Sequence, residues 1–126
     1  MGLVRLRFRA SPSHVRTARL VAVTVARRAG FDEEQVEGVR QAVGEACARA
    51  VRQIGPQGDV TLTLDDHPAG TAAAGRLVVR VHPVRQSTEA DPDPDDDLGL
   101  AVLAELTDDY AFDGDAHGPA LQMTWL

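Results

Sequence analysis

A glutamate and an arginine one helical turn apart are the first candidates for chemistry in this sequence. Glu45 and Arg49 lie within residues 42–51, where small and apolar residues recur at helical spacing. Side chains four residues apart share one face of a helix, so these two can form an ion pair worth about 0.3–0.5 kcal/mol. Such pairs are common on helices without a catalytic role, and the spacing alone leaves their function open.

The other polar residues match no common metal or catalytic signature. Four histidines lie far apart, without companions at metal-ligand spacing: His14, His67, His82 and His117. The aspartates between Asp91 and Asp97 alternate as in a calcium loop but lack the glycine and glutamate that an EF-hand requires. Neither a G-x-S-x-G elbow nor a P-loop is present. We therefore expect no metal site and no member of the commonest hydrolase and NTPase classes.

Length and composition indicate one domain. The chain has 126 residues, of which 44% are hydrophobic and 25% charged, and this profile predicts a single core over residues 1–126. No apolar run approaches the roughly 20 residues of a membrane span, and residues 1–9 do not form a signal-peptide core. The single cysteine, Cys47, excludes an internal disulfide and a cysteine-rich zinc site. A cytoplasmic protein is expected.

The basic residues are concentrated in the first half of the chain. Residues 1–54 hold ten arginines and five acidic residues, whereas residues 55–126 hold three arginines and fourteen acidic residues. The net charge is −6 and aromatic residues are few, which argues against direct binding to nucleic acid. A basic half in an acidic protein instead suits an acidic protein partner.

Alternating and continuous apolar runs predict the strands. Residues 4–8 alternate apolar side chains with arginines, and residues 60–64 alternate with threonines. Residues 77–81 form a more continuous run, as expected for a central strand. Residues 110–112 and 121–125 supply one or two closing strands.

Helical spacing and capping signals predict three helices. Ser11, followed by proline, begins the first helix, and Gly30 ends it. Asp32 opens the second with a capping box, and its apolar stripe runs to Ile54. The third begins near Leu98.

The order of these elements predicts an α+β fold. Strand, two helices, two strands, helix and closing strands indicate a two-layer sandwich, with helices on one face of a mixed, mostly antiparallel sheet. Residues 65–75 are expected to be a loop. The acidic residues 86–97 cannot bury themselves and are expected to form a mobile lid segment.

The second helix resembles a motif of a known family. Residues 44–50 read G-E-A-C-A-R-A, which is similar to the N-box S-E-A-x-T-N-A of the anti-sigma factor serine kinases, members of the GHKL (Bergerat-fold, histidine-kinase-like) ATPases. The resemblance covers most of the chain and implies the histidine-kinase-like ATPase fold. It includes the alternating first strand, Ala18-Arg19 in the first helix, a degenerate G2 box at Leu98-Gly99-Leu100, and the closing Met123-Thr124-Trp125 strand.

The resemblance implies a catalytic position for Glu45, but residue 49 is not a metal ligand in this sequence. In the family the glutamate acts near the attacking water or hydroxyl, and the asparagine four residues later holds the magnesium that bridges the ATP phosphates. Glu45 keeps the position of the base, as a vestigial catalytic residue, whereas Arg49 replaces the asparagine. Because a guanidinium has no lone pair for a metal, Arg49 would pair with a phosphate or with Glu45.

The other nucleotide-binding motifs of the family are altered. Its D-x-G-x-G box would follow the strand at 77–81, but residues 82–86 read H-P-V-R-Q. Carboxylates in the segment 86–97 would repel a nearby triphosphate. We expect no metal and no cofactor, with ATP or ADP plus magnesium bound only if the site still functions. The degenerate cofactor site comprises Arg49, Leu98, Gly99 and Leu100.

Two arginines of the first helix are the candidates for partner binding. In the family, the arginine that matches Arg19 contacts the sigma factor and the antagonist protein on an overlapping surface, and Arg16 lies one turn before it. The resemblance implies a sigma factor and a STAS-domain anti-anti-sigma protein as partners. It also implies a homodimer paired around a sheet edge. Without that context, Arg19 would be an ordinary exposed arginine.

These features together predict an anti-sigma-type regulator of transcription that binds its partners by competition, with kinase activity weak or lost. One alternative is an active ATP-dependent protein serine kinase that phosphorylates an anti-anti-sigma factor and holds the phosphates with Arg49. Another is a non-catalytic dimerisation or scaffold module that retains only the fold.

Overall fold

Three helices and five strands follow one another within residues 2–67, 76–84, 94–115 and 118–126, which are the residues that this computed structural model describes. Their order is the predicted one, with both closing strands present. The bounds are β1 Gly2–Arg9, α1 Pro12–Arg28, α2 Glu33–Ile54, β2 Asp59–His67, β3 Arg76–His82, α3 Pro94–Leu106, β4 Asp109–Asp115 and β5 Gly118–Trp125.

The strands form one sheet in the order β1-β2-β3-β5-β4. Every pairing between the described strands is antiparallel, so the expected mixed sheet contains no parallel pair in this part of the chain. Helices α1 and α2 pack against each other and against β2, while α3 packs against α2 and β4. The predicted α+β sandwich of the histidine-kinase-like ATPase type is confirmed.

The core lies between the helices and one face of the sheet, and the periodic patterns account for it. On β2 and β3 the buried residues alternate with partly exposed ones, as period-two strands require. Leu62 is paired with Val81 and Leu64 with Val79, so the apolar residues of neighbouring strands share the inner face. Ten residues of helix α2 are buried, and this helix carries Glu45 and Arg49.

The ends of the first two helices differ in how they are capped. The Asp32 carboxylate accepts from the Gln35 backbone N–H at 2.8 Å, and the Gln35 side chain accepts from the Asp32 N–H at 3.0 Å, so the predicted capping box is present. Ser11 occupies the N-cap position of α1, but its hydroxyl caps no backbone group and contacts Ser13 instead. Gly30 adopts a φ of 92°, a left-handed conformation suited to a helix end.

Two predicted boundaries were wrong. Residues 65–67 of the expected loop belong to β2, which continues to His67, because the Asp66 carboxylate is buried against the Arg28 guanidinium. The rest of that expected loop, residues 68–75, lies outside the described residues. Helix α3 begins at Pro94 and not near Leu98, because proline and aspartates suit the first turn of a helix. Most of the expected lid, residues 86–93, lies outside the described residues. Among those described, no helix has the length and apolar character that crossing a membrane requires.

Candidate functional site

Glu45 and Arg49 occupy successive turns of α2, yet their side chains diverge. The Arg49 side chain is buried, with 1% of its surface exposed, whereas Glu45 is half-buried. Within the described residues, the two groups do not form the ion pair that their spacing allows. The Glu45 carboxylate and the Arg49 guanidinium are therefore two separate groups and do not neutralise each other.

The Arg49 guanidinium lies over the ring of Phe112 in β4, with its central carbon 4.8 Å from the ring centroid. At this distance the negative face of an aromatic ring attracts a cation, and the attraction is stronger when both groups are shielded from water. An arginine remains protonated at every physiological pH. The sandwich thus holds a permanent positive charge between α2 and the edge of the sheet.

The Glu45 carboxylate lies against α3, at the glycine of the predicted G2 position. A Cβ at Gly99 would fall 2.5 Å from Glu45 Oε1, so only a glycine permits this approach without a shift. The neighbours of Gly99 point elsewhere: Leu98 is 71% exposed, and Leu100 packs partly against the core. Of the predicted nucleotide positions, the structure brings together Glu45 and Gly99, while Arg49 turns toward Phe112.

The end of β3 carries an imidazole where the family's box would carry an aspartate. His82 is 5% exposed and precedes Pro83 and the buried Val84. Over the described parts of the chain, no group of three histidine, cysteine or acidic side chains is placed to hold a metal ion. The donor set expected for a metal-bound triphosphate is not assembled among these residues.

The two arginines of α1 face the N-box segment of α2 to different degrees. Arg16 is exposed, whereas Arg19 is partly buried and lies over Gly44. A Cβ at Gly44 would contact Arg19 Nε and would fall 3.0 Å from Nη2 and 3.1 Å from Cζ. Gly44 therefore accommodates the guanidinium. Sequence reasoning missed this contact, although a glycine inside the most regular helix is a signal of close approach.

Cys47 lies on α2 between Glu45 and Arg49 but is a core residue. Its side chain is fully buried, and burial raises the pKa of the thiol to about 12. The nearby Arg19 charge lowers this pKa by a smaller amount. Because nucleophilic cysteines need accessible thiolate, Cys47 contributes packing and not chemistry.

Comparison with known proteins agrees with this fold. The sequence model of the family described as "Histidine kinase-like ATPase domain" matches residues 8–125. The crystal structure of the RsbU and RsbW domains of Rv1364c from Mycobacterium tuberculosis is similar to this chain, with a TM-score of 0.65 and 16% sequence identity. The match covers 99% of this chain and 32% of that one, so this chain spans about a third of its length. At this identity the similarity concerns the fold alone. No curated protein matches the sequence significantly.

Proposed function

Because this chain belongs to the histidine kinase-like ATPase domain family, we propose that it is an anti-sigma-type regulator which acts by binding its partners and not by phosphorylating them. The partners proposed are a sigma factor and a STAS-domain anti-anti-sigma protein, which compete for one surface. The fold similarity to a structure that contains an RsbW domain supports this class of regulator.

The observation that carries the proposal is the buried guanidinium at position 49. The resemblance places a metal-holding asparagine there, and this chain places a cation with no lone pair. The contact of Arg49 with Phe112 holds that cation within the core, where 1% of its surface is exposed.

The residues present do not fit a magnesium-bound nucleotide of the family type. A guanidinium repels a divalent cation, and His82 replaces the aspartate that would accept from the adenine amino group. Phosphoryl transfer depends almost entirely on positioning and on charge stabilisation by metal ions. We therefore derive no catalytic step for this chain, although Glu45 retains the position of the base.

The partner-binding part of the proposal rests on the first helix. Arg16 is exposed and Arg19 partly exposed, and neither forms an ion pair with a carboxylate of the described residues. Both arginines can therefore form ion pairs with carboxylates of a partner protein. Charge-assisted contacts of this kind favour an acidic partner and speed its encounter with the protein.

Homodimerisation is the remaining part of the proposal. Strand β1 is an edge of the sheet, and a shallow apolar depression of about 300 Å³ runs beside it, lined by Val4, Leu20, Val21 and Val25 among others. Leu20 is 63% exposed. An apolar side chain beside an unpaired strand edge supports self-association there.

A phosphotransfer and binding experiment tests the proposal. The chain is incubated with labelled ATP, magnesium and each STAS-domain protein of its own genome, and its affinity for these proteins and for the sigma factors is measured by calorimetry. We expect binding without stoichiometric phosphorylation, and a loss of about tenfold or more in affinity for Arg19→Ala. Arg27→Ala is the matched control, because the Arg27 guanidinium is already paired with Glu33.

Three outcomes separate the candidate functions. Stoichiometric transfer to a STAS-domain serine, abolished by Glu45→Ala, would refute the proposal and establish the kinase. If the chain binds no sigma factor and no STAS-domain protein, the scaffold alternative is favoured. Binding that Arg19→Ala and Arg27→Ala weaken equally would contradict the role assigned to α1.

A further inference from the structure

We propose that the cleft between α1 and α2 docks an acidic amphipathic helix of a partner protein, and that Arg52 is a third anchoring residue beside Arg16 and Arg19. The inference deepens the proposed function and rests on it for the kind of partner. It adds the second helix to the partner-binding surface and names the chemistry of the segment that binds there.

The cleft is large enough and apolar enough to bind a row of apolar side chains from a partner helix. Its volume is about 590 Å³, far larger than the roughly 30 Å³ share of a water molecule. Val15 of α1 and Ala48 and Val51 of α2 line it with apolar surface, and Pro12 and Ser13 of the first turn of α1 line it as well. Grooves of this kind between packed helices commonly receive the apolar face of another helix.

Three arginines line this apolar surface, and none has a carboxylate partner in the part of the chain that the structure describes. Arg16, Arg19 and Arg52 all line the cleft, and none of them is in an ion pair within the described residues. Five other arginines of the described residues are each held by a carboxylate. These are Arg7 and Arg9 on Asp59, Arg27 on Glu33, Arg28 on Asp66, and Arg40 on Glu37.

The residues that line the cleft include no aspartate or glutamate. Helix α1 contains no aspartate or glutamate, and residues 46–58 contain none either. The unpaired amides in the first turn of α1 add positive potential at the end of the cleft. Among the described residues these three arginines have no carboxylate partner, and an acidic segment of another molecule would supply one.

The pattern of charges favours a helix over a nucleic acid. Arg16 and Arg19 are one helical turn apart, and Arg52 lies across the cleft on α2. Glutamates one turn apart on a partner helix match the spacing of Arg16 and Arg19. Leucines between those glutamates would then contact the apolar lining of the cleft. The net charge of −6 opposes an extended polyanion, whose binding relies on long-range positive potential.

Gly44 positions Arg19 for this contact. The three atoms nearest to a Cβ at Gly44 all belong to the Arg19 guanidinium, so any side chain there displaces it. Glycine inside a helix is unfavourable relative to alanine. Replacement by alanine should therefore leave the fold as stable as before or more stable, while it moves the guanidinium out of place.

Synthetic helical peptides provide the direct test. One peptide of about 18 residues carries leucines at helical spacing flanked by glutamates, and its matched control carries glutamines instead. Fluorescence anisotropy should show that the acidic peptide binds at least about tenfold more tightly than the control, and that salt weakens it. Arg52→Gln should weaken binding by about five- to tenfold, whereas Arg27→Gln should leave it unchanged.

Gly44→Ala supplies a readout that a purely structural role would not give. We expect an unchanged or higher melting temperature together with a loss of several-fold in affinity for the acidic peptide. Equal binding of the acidic and glutamine peptides, no binding of the acidic peptide up to about 1 mM, or indifference to Arg52→Gln would overturn the proposal. So would tighter, Arg52-dependent binding of a single-stranded oligonucleotide.

Failure of this inference is distinguishable from failure of the proposed function. If a sigma factor or STAS-domain protein binds the wild type and Arg52→Gln equally, the cleft assignment is wrong while the regulator remains. If the acidic peptide binds through Arg52 but no sigma factor or STAS-domain protein binds, the cleft assignment stands and the proposed function fails.

Discussion

At the scale of single residues, the most informative group is the buried guanidinium of Arg49. Its contact with Phe112 joins two positions that are far apart in the sequence. The replacement of an asparagine by arginine was visible in the N-box, and it predicted the loss of a metal ligand. The aromatic partner was not predictable, because it depends on which face of β4 meets α2 and on the side-chain conformations chosen there.

A second buried charge contributes to stability and should make it depend on pH. Arg28 at the end of α1 donates two hydrogen bonds of 3.0 Å to Asp66, whose side chain is fully buried in β2. The hydrogen bonds from Arg28, followed by the charge of that residue, lower the pKa of Asp66 while burial opposes them. A carboxyl whose pKa is lowered on folding stabilises the native state above its ordinary pKa.

We therefore predict that Asp66→Asn lowers the free energy of unfolding near neutral pH by about 1–2 kcal/mol. This is at the low end for hydrogen bonds to charged groups, because 48% of the Arg28 side chain is exposed. The difference from the wild type should shrink as the pH falls below about 4, where the unfolded carboxyl becomes protonated. Urea denaturation at a series of pH values measures it.

Asp65→Asn is the control for that experiment, because Asp65 is half-exposed, lies 3.7 Å from the His67 imidazole and forms no ion pair with an arginine of the described residues. Its effect should be small at every pH. A difference between Asp66→Asn and the wild type that stays constant down to pH values well below 4 would show that the carboxylate charge is not the stabilising feature.

At the scale of elements, the ends of α1 and α2 show what a local pattern can and cannot predict. The capping box of α2 follows from two residues three apart, and it forms as predicted. Ser11 carried an equally good local signal for α1, but its hydroxyl bonds to Ser13 instead. A cap position is a property of the backbone, whereas the cap hydrogen bond also depends on competing side chains.

The two caps should therefore respond differently to removal of the side chain. We predict that Asp32→Ala destabilises the protein by about 1 kcal/mol, because the hydrogen bond from the Gln35 backbone N–H to the Asp32 carboxylate is lost. Ser11→Ala should cost less than about 0.5 kcal/mol. Chemical denaturation of both variants measures the difference, and equal losses would contradict the assignment.

Periodicity predicted the elements well, and it erred where a polar residue is buried. The apolar stripes of α1 and α2 and the alternation in β2 and β3 were sufficient to predict two layers around one core. Residues 65–67 were expected to be part of a loop, but they belong to β2, where the Arg28 guanidinium pairs with the buried Asp66 carboxylate. The same limitation hid Gly44, whose role depends on a side chain from another helix.

At the scale of the whole molecule, charge is segregated in a way that a local motif does not reveal. The chain carries a net charge of −6, yet Arg16, Arg19 and Arg52 line one cleft between α1 and α2 without an ion pair among the described residues. The sequence predicted a basic half and an acidic partner. The structure adds a cleft, because the packing of α1 on α2 places Arg52 opposite Arg16 and Arg19.

The central claim is that this member of the family works without a metal-bound nucleotide. A ligand that binds only the native state raises the free energy of unfolding, by about 2.7 kcal/mol when its concentration is a hundred times its dissociation constant. The melting temperature must then rise as well. For a domain of this size that corresponds to a rise of several degrees. Magnesium tripolyphosphate serves as the control for non-specific contacts of the arginines with phosphates.

The most direct measurement is therefore the melting temperature of the chain with millimolar MgATP, compared with magnesium tripolyphosphate and with magnesium alone. We predict a shift with MgATP of less than about 1 °C beyond the tripolyphosphate control. A rise of several degrees that MgATP produces and magnesium tripolyphosphate does not would show that the nucleotide is recognised, and would contradict the account.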